Sequence, residues 1–233
     1  VNTLAVAAVA LDFGGTLATP GASPCGRDVV AVLESRSGWP SPAGLDVAVD
    51  EVRAEAKAAY RQGVQTPWET ILADAWQRVS AQPPDLDAVV DALWESVPDA
   101  VVDPRAAAAV RTLRRSQREL VLACNTQRPI AHRRRTLAVA GLVEHFDALV
   151  LSSDIGFTKP DPRFYAAVVD AAGGVPGAVL FVGDTLDKDV VGPRAAGMRA
   201  ALVCAGEPPP GLPEDVPVIA HVAELPNLLE RWP

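Results

Sequence analysis

Short apolar runs that end in small polar or acidic residues recur along the chain, separated by segments long enough for helices. No other feature limits the possible folds as tightly. Val6-Ala-Ala-Val-Ala-Leu11 leads into Asp12, Glu119-Leu-Val-Leu-Ala-Cys124 into Asn125 and Thr126, and Ala178-Val-Leu-Phe-Val182 into Gly183 and Asp184. Runs this short and this apolar read as strands covered on both faces, the arrangement of a parallel sheet between helices. The spacing predicts helix near 104–117, strand 119–124, helix 129–140, strand 147–151, helix 161–172, strand 178–183, helix 188–196 and strand 199–204. A Pro-rich loop follows from Cys204 to Val216, and a last strand and helix near 217–231 close the edge. Right-handed crossovers turn this order into a mostly parallel α/β sheet with helices on both faces.

The stretch from about Pro20 to Val102 breaks the pattern. It holds four of the five tryptophans, at 39, 68, 76 and 94, and no phenylalanine. Helical periodicity runs through Val47–Tyr60, Trp68–Ser80 and Leu86–Ser96, with Pro-rich breaks at Trp39-Pro-Ser-Pro42 and Gln82-Pro-Pro84. It reads as an all-helical lobe, 20–102, inserted into a core made of 1–19 and 103–233. A chain of 233 residues is long enough for one sizeable α/β domain and a smaller lobe.

The strand ends carry the chemistry. Asp12 precedes Phe-Gly-Gly-Thr-Leu17, whose glycines permit a sharp turn and close approach of a ligand to the backbone. A carboxylate there is a candidate nucleophile, because ligands of open α/β sheets lie at strand ends; the alternative is an aspartate that caps a turn. Asp184 ends a second buried run, where an unpaired carboxylate is costly. Two strands delivering Asp to one edge make a hard oxygen site suited to Mg²⁺. Asp187 and Asp189 also suit helix capping, and for Asp187 capping is the preferred reading. Lys159, one of three lysines against eighteen arginines, lies in Lys-Pro-Asp-Pro162, an extended turn that opens a helix. Near two carboxylates and a phosphoryl group its ammonium would balance charge in the transition state. Cys124, Asn125 and Thr126 end a strand in residues of the kind that bind phosphate oxygens.

Leu11-Asp12-Phe-Gly-Gly-Thr-Leu, Cys124-Asn125-Thr126, Gly-Phe-Thr-Lys159-Pro-Asp-Pro and Val-Gly-Asp184-Thr-Leu-Asp-Lys-Asp189 with Ala-Ala-Gly-Met198, in this order and spacing, resemble the haloacid dehalogenase superfamily. The match spans nearly the whole chain. It implies a doubly wound, Rossmann-like core, Mg²⁺ as cofactor and a helical cap that closes over the nucleophile and selects the substrate. Most members hydrolyse phosphate monoesters through an aspartyl-phosphate. Carried over, Asp12 is the nucleophile and a metal ligand, and Gly14 offers its backbone carbonyl to the metal. Asp184 is the acidic ligand, Asp189 its supporting carboxylate, and Lys159 the charge-balancing catalytic lysine. Thr16, Cys124, Asn125 and Thr126 form the substrate-binding set.

Two departures bear on the reaction. The phosphatase pattern has a second Asp where this chain has Gly14, and Ser or Thr where it has Cys124. Gly14 keeps the carbonyl but has no side chain to move a proton, and such general acid–base help contributes on the order of 10²–10⁴-fold. An alkoxide leaving group needs that proton; a halide or an acyl phosphate needs it much less. A thiol at Cys124 is a weaker donor than a hydroxyl. Even with these departures, the activity the resemblance implies is that of a phosphatase on a small phosphorylated metabolite. The alternatives are a hydrolase of carbon–halogen or carbon–phosphorus bonds, or a degenerate member that binds without turnover. Carbon–phosphorus cleavage would need a Schiff-base lysine, and Lys57 sits on what reads as a solvated helix face. His132 is the nearest replacement acid in the chain.

Net charge is −8, which argues against nucleic acid as a partner. Nine arginines nevertheless fall between Arg105 and Arg135 with one acid, Glu119. They read as solvated helix faces, with Arg128 kept as a possible substrate contact. Three cysteines at 25, 124 and 204 point to a reducing cytoplasm rather than a disulfide framework. No segment reads as a membrane span or a signal peptide. The expected state is a cytoplasmic monomer or homodimer.

Overall fold

The computed structural model describes residues 5–231. In chain order its strands are β1 (Ala8–Leu11), β2 (Ala18–Thr19), β3 (Val101–Val102), β4 (Glu119–Cys124), β5 (Ala148–Leu151), β6 (Val179–Gly183), β7 (Arg199–Val203) and β8 (Val218–Ile219). Six of them form one sheet in the order β5–β4–β1–β6–β7–β8, with every neighbouring pair parallel. The helices are α1 (Gly26–Glu34), α2 (Leu45–Arg61), α3 (Trp68–Arg78), α4 (Leu86–Ser96), α5 (Pro104–Arg115), α6 (Ile130–Val139), α7 (Ser152–Ile155), α8 (Pro162–Ala171), α9 (Gly192–Ala195) and α10 (Leu225–Arg231).

The apolar runs are continuous because alternate residues enter different cores. Val9, Leu11, Leu120, Leu122, Leu180 and Val182 pack on one face against α5, α6 and α10, through Val110, Leu113, Leu137 and Leu229. Ala8, Ala10, Val121, Ala123, Val179 and Phe181 pack on the other against α8, through Phe164, Tyr165 and Val168. Each fully buried Val or Leu contributes about 1.5–3 kcal/mol, so neither face tolerates a charge. This is the doubly wound α/β arrangement expected from the sequence. After β1 the chain builds outward through β4 and β5, then crosses to build the other side through β6, β7 and β8. The reversal opens a crevice beyond the carboxyl ends of β1, β4 and β6, where α/β sheets bind ligands.

The chain divides into two compact units: residues up to Pro20 with those from Ala100 on, and Gly21–Asp99. The second unit is helical throughout, α1 to α4 around its own core of Val29, Leu33, Val49, Ile71, Leu72, Val89 and Leu93 with Trp68, Trp76 and Trp94. Trp68 and Trp94 meet edge to face at 6.2 Å. In the first unit, β2 and β3 pair antiparallel, Thr19 opposite Val101, so the chain leaves and re-enters that unit at adjacent points.

The structure departs from the expected elements in four places, one of them the short helix α7 between β5 and α8. α1 was not anticipated; its start is fixed by Asp28, whose carboxylate accepts from the Cys25 amide at 2.7 Å. The β2–β3 ribbon is two residues long on each side, too short to leave a periodic signal. The expected helix over 188–196 is instead one π-helical turn, Leu186–Val191, followed by α9. Pro193 lacks the N–H that a continuous α-helix would use there. Among the described residues no helix is long and apolar enough to cross a membrane.

Candidate active site at the carboxyl ends of the central strands

Asp12 follows β1 and continues its ladder, its amide donating to the Val182 carbonyl at 2.9 Å. The chain then turns on itself, with the Phe13 carbonyl accepting from the amides of Leu17 and Ala18. Gly15 adopts φ +82°, and a Cβ there would collide with the Asp184 carboxylate. The turn that follows Asp12 therefore lies directly against Asp184 at Gly15. Thr16 Oγ1 donates to Asp12 Oδ2 at 3.4 Å.

Lys159 ties the ends of β1 and β4 to the turn that follows β6. Its Nζ donates to Asp12 Oδ1 at 2.6 Å, to Asp189 Oδ1 at 2.7 Å and to the Ala123 carbonyl at 3.2 Å. The lysine is 2% exposed and Asp189 1%. Asn125 holds the lysine's main chain from both sides: its Oδ1 accepts from Lys159 N at 2.8 Å and its Nδ2 donates to Lys159 O at 3.0 Å. Asp161 accepts from the Arg163 amide at 2.8 Å and starts α8 with Pro162 in the first turn, as the Lys-Pro-Asp-Pro pattern anticipated.

Asp189 sits inside the π turn. Its Oδ2 accepts from the Thr185 amide at 2.9 Å, and Gly183 carries no Cβ because the Asp189 carboxyl fills that space. Tyr165 steadies the turn by donating to the Lys188 carbonyl at 2.7 Å. One oxygen each of Asp12, Asp184 and Asp189 lies within 4.8 Å of the others. Asp184 lies one residue beyond β6 and is exposed, which corrects the expectation that burial costs govern it; its position rests on this cluster. Asp187 is exposed within the π turn, and the helix cap expected of it is not formed, since Thr185 precedes that turn and Asp189 takes the Thr185 amide.

Three carboxylates face one ammonium, and the electrostatics show the excess. Burial pushes the Asp12 carboxyl up to about 6 against the pull of Lys159, with Asp189 adding to the rise. Partial loss of hydration and the charge of Asp189 push Asp184 up as well. Burial pulls Lys159 down, but Asp12 and Asp189 outweigh it and hold the ammonium above its ordinary value. Surplus negative charge on an all-oxygen donor set fits a hard divalent cation.

The second strand end is ordered by a residue the sequence reading did not single out. Ser152, the first residue of α7, donates to the Thr126 carbonyl at 2.9 Å and accepts from the Thr126 amide at 2.8 Å. Thr126 Oγ1 accepts from the Arg128 amide at 3.0 Å. Cys124 is buried, and burial pushes its thiol up to about 11, so it is a neutral thiol at physiological pH. Gly14 has open space: a Cβ there meets only Pro20 Cγ, at 3.5 Å. Arg134 and Arg135 are exposed, but Arg133 is buried, against the expectation of a solvated arginine face; Arg128 and His132 are buried as well. Helical spacing alone carried a signal for Arg133, three residues after Ile130 and four before Leu137 on α6.

The model of the haloacid dehalogenase-like hydrolase family matches residues 6–197. A phosphoserine phosphatase of Thermus thermophilus is 32% identical over 198 residues, 70% of this chain and 78% of that protein. A phosphoglycolate phosphatase of Cereibacter sphaeroides is 36% identical over 133 residues, 56% of this chain and 58% of that protein. Among solved structures, a 2-haloacid dehalogenase from Pseudomonas syringae superposes with a TM-score of 0.69 at 20% identity, covering 98% of this chain and all of that one, a likeness of fold.

Proposed function

The chain belongs to the haloacid dehalogenase-like hydrolases, and from that premise we propose a Mg²⁺-dependent phosphatase that acts on a small phosphorylated metabolite through an aspartyl-phosphate on Asp12. With phosphatases among its relatives, the chain is an enzyme of the phosphoric monoester hydrolase type. The observation that carries the finer reading is the Lys159 ammonium held between Asp12 and Asp189 beside Asp184.

Asp12, Asp184 and the Gly14 carbonyl would hold the cation, with Asp189 in support. When bound, Mg²⁺ neutralises charge on the phosphoryl oxygens. The Asp12 carboxylate attacks phosphorus, the bond from phosphorus to the ester oxygen breaks, and the leaving oxygen takes its proton from solvent water. Lys159 offsets the charge that builds on the phosphoryl group. Thr16, Thr126 and Cys124 offer donors around it, while Asn125 fixes the lysine. Water then attacks the aspartyl-phosphate, releasing inorganic phosphate and restoring the carboxylate. Gly14 supplies no proton in either step, so substrates with good leaving groups turn over best. Residues 20–102 act as the substrate-selecting cap on a catalytic core of 1–19 and 103–233. Three unpaired cysteines suit a reducing cytoplasm.

The test is release of phosphate from acetyl phosphate and p-nitrophenyl phosphate, with and without Mg²⁺. Mg²⁺-dependent turnover that disappears in Asp12→Asn is expected; Mg²⁺ binding without turnover would make this a binding protein. Gly14 favours one second reading, carbon–halogen hydrolysis, because a halide leaves without a proton. Halide release from 2-chloropropionate, unaffected by Mg²⁺, would establish it in place of the phosphatase.

A further inference from the structure

Arg133 is buried without a counter-charge. It is 6% exposed, and its guanidinium carbon lies 3.9 Å from the centre of the Phe13 ring, the residue next to Asp12. Its Nη2 donates to Thr126 Oγ1 at 3.4 Å. Its Nε and Nη1 have no hydrogen-bond partner among the described residues. Other arginines of this unit find carboxylates: Arg114 pairs with Asp147, Arg163 with Asp161 and Arg194 with Asp215.

A guanidinium cannot shed its proton. Burying it with open donors destabilises the fold unless an anion arrives to meet them. The Phe13 ring occupies one face of the plane and leaves the edges for hydrogen bonds. Phe13 and Thr126 belong to the two strand ends that flank the proposed phosphoryl site. We propose that Arg133 binds a second anionic group of the substrate, a carboxylate or a further phosphate, so that the site selects phosphate esters carrying two anions. A site built around such a donor rejects analogues lacking the partner group, because the donor is then left buried and unpaired.

The proposal rests on the phosphatase reading, and a binding measurement lets the two fail separately. Full-length Asp12→Asn protein, on which no aspartyl-phosphate can form, is titrated calorimetrically with 2-phosphoglycolate, with ethylene glycol bisphosphate and with ethyl phosphate. At least one doubly anionic ligand is expected to bind about 10–100-fold tighter than ethyl phosphate, the range of a charge-assisted hydrogen bond. Which of the two does so tells a carboxylate from a second phosphate. Adding Arg133→Met should bring that ratio close to one, and Arg133→Lys should retain part of it. Equal affinities for all three ligands, or a ratio that survives Arg133→Met, overturns the proposal. So does an equal loss for ethyl phosphate, which would assign Arg133 to the transferred phosphoryl group. Should Arg133→Met fail to fold by circular dichroism, Arg133→Gln takes its place; if neither folds, the ratio in the Asp12→Asn protein decides. A ratio that Arg133→Met abolishes, in a protein whose wild type hydrolyses no phosphate ester, sinks the phosphatase reading and leaves Arg133 an anion-binding residue.

Discussion

Asp12 touches an ammonium and is still harder to ionise than an ordinary aspartate, with its carboxyl pushed from 3.8 to about 6. Between those values the metal-free fold keeps a proton that the unfolded chain has lost. The contribution to stability is fully present below 3.8 and disappears as pH rises through about 6. A cation needs the ionised form. The affinity for Mg²⁺, read from the shift in melting temperature, should be full at pH 7.5 and fall about tenfold for each pH unit below 6. A shift that stays constant down to pH 5 would mean that Asp12 is not a ligand. Gly14 gives a second prediction at this scale. Its backbone φ is outside the left-handed region and a Cβ meets only Pro20, so Gly14→Asp should fold with little change in melting temperature. It should raise hydrolysis of alkyl phosphates by about 10²–10⁴-fold and that of acetyl phosphate far less. The convergence of Asp12, Asp184 and Lys159 was legible because two follow strand ends and the third precedes a helix start, whereas Asp189, inside the π turn, was expected only from the family resemblance. The partners of Asn125 were not, because they lie on a backbone segment 34 residues away.

The π turn at Leu186–Val191 is the element that the sequence hid most completely. Its composition is that of an ordinary helix start; what distinguishes it is a set of remote contacts. Asp189 is bound by Lys159 and by the Thr185 amide. Tyr165 meets the Lys188 carbonyl from α8, and Gly192 has no Cβ because the Tyr165 ring occupies that space. Tyr165→Phe keeps the ring and removes one hydrogen bond, which should lower stability by about 1 kcal/mol. If the turn sets the position of Asp189, Mg²⁺ affinity should fall with it; affinity unchanged at lowered stability would confine Tyr165 to packing. The same limit explains the missed start of α1. A cysteine is a poor sequence signal for a helix start, and only the fold shows Asp28 reaching back to the Cys25 amide.

Across the molecule, the sheet was readable because strands buried on both faces leave unbroken apolar runs, and α2 to α4 because their own segments carry helical periodicity. The ribbon of β2 and β3 was not, and it carries a prediction. Thr19 and Val101 are paired neighbours, so replacing residues 21–99 with a short glycine linker should leave the first unit folded and still able to bind Mg²⁺. Loss of the cooperative melt would show that the sheet depends on the excised helices. The register of β1 has a consequence for biosynthesis. Ala8 pairs with Glu119 on one side and with Val179 on the other. At translation rates of about 5–20 residues per second, the first strand leaves the ribosome roughly 10–30 s before its last partner exists. Until then a nascent polypeptide offers an open strand edge, a template for association with other chains. Messages truncated before the codons for β6 should therefore yield aggregates rather than smaller working enzymes, and full-length synthesis at high expression should gain from chaperones that shield the amino-terminal segment.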